Sequence, residues 1–164
     1  MFKLPADTQE LLSWEWPNIE PGYTELEKTP LTAGNVEVWL SRWSRVAECA
    51  EELYNRLYIA TAQNTVDELA RKRFSNFLET IFPNAMAREQ KLKVKLLDSK
   101  LEPAGFEIPL RNYRSDADLF REENLPLLAE ELQFTTEYDR IIGAQTVNWE
   151  GKETTIARLG TNLQ

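Results

Sequence analysis

Between Val36 and Thr61, apolar and small residues return at every third or fourth position: Val36, Leu40, Trp43, Ala47, Ala50, Tyr54, Leu57 and Thr61. Trp39, Val46 and Leu53 widen the same stripe. Such a series falls on one side of the chain only if the chain is an α-helix of ~3.6 residues per turn. A helix of this kind is stable in water only when its apolar side is covered by other elements. The remaining segments therefore have to be read as its partners.

Thr65 followed by Glu68 has the spacing of a capping box and predicts a second helix after the Gln63-Asn64 break. Its stripe runs through Val66, Leu69, Ala70, Phe74, Phe77, Leu78 and Ile81 until Pro83 ends or kinks it. Lys91-Leu92-Lys93-Val94-Lys95-Leu96 alternates like a strand. The helix formers of Ala85 to Gln90, and Leu92, Leu96 and Leu97 on one helical face, favour a helix instead. Pro103, Gly105 and Pro109 mark a loop. Leu110 to Glu123 and Leu125 to Ile142 read as further helices. Ser115 is placed to cap toward Asp118, Asn124 to cap the last helix with Pro126 in its first turn, and Gly143 to close it. Thr146 to Trp149 and Lys152 to Thr155 are β-rich runs around Glu150-Gly151, the pattern of a hairpin, which needs something to pack against.

The predicted fold class is mainly α: an antiparallel bundle of long helices with a small C-terminal β-hairpin. Three regions follow: an irregular, proline-punctuated arm over residues 1–31 with a short helix around Tyr23 to Glu27, a helical domain over 32–143, and a hairpin and tail over 144–164. A chain of 164 residues has room for one domain, or two small ones.

Chemistry is constrained by what is missing. The chain has no histidine. That removes the commonest general base and metal ligand, and with them any Ser-His-Asp triad, Cys-His dyad or His-based zinc site within these residues. The acidic pairs Glu51-Glu52, Glu122-Glu123 and Glu130-Glu131 diverge by ~100° on a helix, so neither member helps the other hold one ligand. EF-hand spacing and a glycine-rich phosphate loop are both absent from the sequence. Cys49, the only cysteine, has acidic neighbours that disfavour a thiolate and reads as inert. No catalytic, cofactor-binding or metal-binding residue is assigned.

A net charge of −8 with a sequence pI near 4.8 opposes nucleic-acid binding. The basic runs Arg71-Lys72-Arg73 and Lys91/Lys93/Lys95 read as solvated helix faces. Nothing approaches the ~20 apolar residues of a membrane span, and the N-terminus has no apolar signal core, so no membrane partner and a cytoplasmic setting are expected. The aromatics Trp14, Trp16, Trp39, Trp43 and Trp149 read first as core or as a surface for docking another domain.

Several stretches, in order, resemble the N-terminal part of oligoendopeptidase F-type zinc metallopeptidases, relatives of thimet oligopeptidase. They are Trp39 to Ser44, Leu57 to Thr61 leading into Asn64 to Asp67, Leu92 to Ser99, Phe120 to Leu127, and Tyr138 to Thr155 with its Val-Asn-Trp-Glu-Gly-Lys-Glu-Thr hairpin. The likeness runs from about Trp16 to Leu159, and none of the stretches is by itself a chemical signature. In that family a His-Glu-x-x-His helix, with a later Glu, holds the zinc; no position here matches it. The resemblance implies a non-catalytic domain forming one wall of a bowl that encloses short peptides. Its partners would be those peptides and a missing C-terminal catalytic domain carrying the zinc. The rival expectation is a free-standing helical interaction module docking through the Trp39/Trp43 face or the Trp14/Trp16 arm. A self-contained enzyme working with carboxylates is a distant third.

Overall fold

The computed structural model describes residues 2–162 and is mainly α-helical, with one small antiparallel sheet near the C-terminus. In chain order the helices are α1 (Thr8–Leu12), α2 (Trp16–Lys28), α3 (Val36–Gln63), α4 (Glu68–Asn76), α5 (Phe82–Asp98), α6 (Glu107–Leu119) and α7 (Leu125–Gly143). Strands β1 (Thr146–Trp149) and β2 (Lys152–Thr155) and the short α8 (Ile156–Asn162) follow. A π-helical turn, Phe77–Ile81, joins α4 to α5, and a 3-10 turn, Glu122–Asn124, leads into α7.

The long periodic segment forms α3, and the bundle is built on it. Its buried line is Val36, Trp39, Trp43, Val46, Cys49, Leu53 and Leu57. The residues expected to widen the stripe are thus its centre, while Leu40, Ala47 and Tyr54 sit half-buried at its edge. Against α3 lie Ile19, Tyr23 and Leu26 of α2, Phe74 of α4, Phe77, Leu78 and Ile81 of the π turn, and Leu92 and Leu96 of α5. Residues 91–96 are helical: Leu92 and Leu96 are fully buried and Val94 is exposed, which a period of two would not give.

The irregular arm expected over 1–31 is corrected. Trp16–Lys28 is one continuous helix with Pro17 in its first turn, where a missing N–H costs nothing. Pro21 is tolerated inside it near the N-terminus, and Ile19, Tyr23 and Leu26 belong to the core. The cap of α4 also moves. Asp67, not Thr65, accepts from the backbone N–H groups of Leu69 (2.9 Å) and Ala70 (3.0 Å), which leaves Val66 and Leu69 exposed. Ser115 lies inside α6 and caps nothing, because the helix begins at Glu107 and stops at Leu119. Asn124 does flank α7, but its side chain makes no cap hydrogen bond.

Pro83 produces a widened turn and not an end. Its ring would press on the carbonyl four residues back, and the π turn adds the room while directing Phe77, Leu78 and Ile81 inward. The hairpin forms as expected, pairing Thr146 with Thr155 and Trp149 with Lys152. Glu150 (φ 52°) and Gly151 (φ 78°) supply the two left-handed residues of a type I′ turn. It packs on α8, however, and contributes nothing to the buried core of the bundle.

Candidate functional site

Two places concentrate features that the packing of apolar side chains does not account for: a half-buried carboxylate between the core helices, and an uncovered apolar face on α7.

The carboxylate is Glu89 of α5. It occupies a position of the buried line Ile81, Ala85, Leu92 and Leu96, where the spacing calls for an apolar residue. Its Oε1 accepts the hydroxyl of Tyr23 (2.8 Å, α2) and its Oε2 the indole N–H of Trp43 (2.6 Å, α3). Burial pushes the Glu89 carboxyl above its ordinary range, while the two hydrogen bonds and nearby Lys93 favour the charged form. Tyr23 is raised by the same burial and by Glu89 itself. The ring of Tyr113 (α6) lies 5.5 Å from that of Trp43, and Lys93 sits over it at 5.4 Å while pairing with Asp116 (2.7 Å). The arrangement ties α2, α3 and α5 together through one acceptor group. Sequence reading passed over Glu89, and the available signal was a carboxylate standing in an apolar stripe.

A second polar seam joins α2 and α5. Arg88 bridges Glu20 (2.8 Å) and Glu27 (2.6 Å), and Lys95 donates to the carbonyls of Leu26, Glu27 and Thr29, closing the C-terminus of α2. Lys95 and Lys93 are therefore engaged with α2 and α6, and Arg71 pairs with Glu68, so neither basic run presents a continuous cationic face. Among the described residues no group of three or more Asp, Glu or Cys side chains converges as a metal cage. Cys49 is buried, and burial together with Glu48 pushes its thiol up. No described helix is long and apolar enough to cross a membrane.

The tryptophans divide. Trp14, Trp39 and Trp43 are buried, with the Trp39 indole N–H on the carbonyl of Leu26 (3.0 Å), and Trp16 stacks on Tyr23 at 6.0 Å. Neither the Trp39/Trp43 face nor the Trp14/Trp16 segment is available for docking. Both are core, which corrects the surfaces assigned to an interaction module. Trp149 alone is substantially exposed.

The exposed apolar side chains lie elsewhere. On α7, Leu127, Phe134, Tyr138 and Ile141 fall within ~60° of one another at ~100° per residue and are 60%, 67%, 62% and 50% exposed. Leu128 and Ile142 extend the stripe on one side. Val147 and Trp149, on one face of β1, and Ile156 continue the exposed apolar series along the chain. Of the 18 exposed large hydrophobic residues among those described, 9 lie from Leu127 onward. The opposite side of α7 holds the bundle through Leu125, Ala129 and Leu132. Between α3, α4 and α7 a groove of about 340 Å³ is lined by residues including Tyr58, Asp67, Arg71, Asp139 and Arg140, with the Tyr58 hydroxyl donating to Asp139 Oδ2 (3.2 Å).

Comparison of the chain with protein-family models, with curated proteins and with solved structures finds no match.

Proposed function

We propose that this chain is a non-catalytic helical domain of an oligoendopeptidase F-type zinc metallopeptidase, forming one wall of the bowl in which short peptides are hydrolysed. The reading starts from the ordered family-like stretches, which lie along α3, α5, the α6–α7 connection and the α7–hairpin segment. The observation that carries it is the uncovered apolar face of α7. A solvent-facing stripe of four large side chains on the last long helix is what a domain exposes when its neighbour is absent.

The residues here do not fit the family's zinc. There is no histidine, no acidic cage is assembled among the described residues, and the half-buried Glu89 has both oxygens occupied by protein donors. The zinc and the water it activates belong to the catalytic domain, and a cytoplasmic setting is part of the same reading. This chain's role is to shape the entrance and the wall.

Reading the gene past Gln164 tests the proposal. An in-frame His-Glu-x-x-His helix is expected, and a stop codon without one defeats it. The isolated chain should bind no stoichiometric zinc and cut no fluorogenic peptide, whereas the full-length protein should cut short peptides and spare folded proteins. A free-standing interaction module remains the rival, favoured by the same α7 face, and an early stop codon would select it.

A further inference from the structure

We propose that the α7 face is covered by a helical segment carrying an apolar stripe flanked by lysine and arginine. The proposal rests on the domain reading for where that segment comes from, and it adds what the segment is made of. Shape is the first argument. Leu127, Phe134, Tyr138 and Ile141 recur at intervals of seven, four and three residues, a straight apolar ridge of the kind another helix packs against. Charge is the second. From Glu122 to Gly143 there are six acidic residues and one basic residue, Arg140, which is already paired with Glu137. Glu130 and Glu131 stand on either side of the ridge and make no ion pair among the described residues. A partner helix laid on the ridge would bring its own flanks within reach of these carboxylates. Lysine or arginine there gains attraction, and aspartate or glutamate meets repulsion. A second copy of this chain, with its own Glu130 and Glu131 and a net charge of −8, is disfavoured on the same ground.

The test uses the whole 164-residue chain and two synthetic helical peptides sharing one leucine stripe, one with lysine flanks and one with glutamate flanks. Titration calorimetry at low salt should give binding of the lysine peptide tighter than the glutamate peptide by about tenfold or more. Glu130→Lys with Glu131→Lys should reverse that preference. Glu37→Lys with Glu51→Lys, an equal charge change on exposed positions of α3, should not. Phe134→Glu with Tyr138→Glu should abolish binding of the lysine peptide; both side chains are exposed, so circular dichroism should stay unchanged. Equal binding of the two peptides, binding of neither, or a preference reversed as well by the α3 substitutions overturns the proposal. So does self-association of the unaltered chain that the Phe134 and Tyr138 substitutions abolish. The reading frame beyond Gln164 decides the domain reading separately, so the two can fail independently.

Discussion

Glu89 carries two opposed contributions, and its protonation state decides between them. The ionised carboxylate accepts from Tyr23 and Trp43, yet burial disfavours its charge and holds its titration above the ordinary value of 4.5. Between 4.5 and the higher folded-state value, the native chain retains a proton that the unfolded chain has released. Stability from this group is therefore fullest at the acidic end of that window and falls as pH rises through it. Glu89→Gln abolishes the titration and can keep both contacts, its carbonyl oxygen accepting from Trp43 and its amide donating to the Tyr23 oxygen. Urea unfolding at about pH 4 and about pH 7 should show the Gln variant gaining on the wild type as pH rises. Parallel profiles would remove the burial argument. Glu89→Leu leaves an indole N–H and a hydroxyl without an acceptor and should cost about 2–4 kcal/mol at either pH. The sequence could not reveal this tie because the partners of Glu89 lie 66 and 46 residues away. Its own helix shows only a carboxylate standing in an apolar stripe, with no hint of which groups it meets.

Helix ends and helix contacts set the element scale, where local sequence rules found the long helices from α3 onward but missed α2 and misplaced the α4 cap. The α4 cap shows why. Thr65 and Asp67 both have capping side chains, and the Thr65–Glu68 spacing fits the rule, but only Asp67 receives the N–H groups of Leu69 and Ala70. Asp67→Ala should cost about 1 kcal/mol in urea unfolding and Thr65→Ala about 0.5 kcal/mol or less; equal losses would return the cap to Thr65. Gly22 makes the same point for packing. A Cβ there would meet Val46 Cγ2 at 2.7 Å and the Phe2 ring at 3.0 Å, so the close approach of α2 to α3 requires its absence. Gly22→Ala gains about 1 kcal/mol in helix propensity and loses about 1–3 kcal/mol to overpacking. A net loss is expected, relieved in the Gly22→Ala/Val46→Ala pair relative to the sum of the single changes. Additive effects would mean that the two helices part freely. The α2 helix was hidden because its prolines, read singly, are breakers. Pro17 stands in the first turn, where its missing N–H costs nothing, whereas Pro21 gives up one backbone hydrogen bond that the burial of Ile19, Tyr23 and Leu26 has to offset.

For the whole molecule, the division that matters runs between the side chains that hold the fold and those that the fold leaves outside. The core lies between Leu11 and Leu110, with Leu125 and Ala129 of α7 added at one edge. Periodicity made that much legible, since each long stripe had to be buried somewhere. The hairpin was legible for a different reason: its turn needs two left-handed residues, and Glu150-Gly151 supplies them locally. Where it would dock could not be read, because its four β1 residues are exposed and none of them belongs to the core. Deleting residues 146–164 should therefore leave the urea midpoint and slope of the bundle unchanged, within about 0.5 kcal/mol. A shortened chain as stable as the whole would place Val147, Trp149 and Ile156 with the α7 stripe, among side chains retained for a partner and not for this fold. A loss above about 1 kcal/mol would mean that the hairpin and α8 already shield part of the bundle. The surface left for any partner would then shrink to α7 alone.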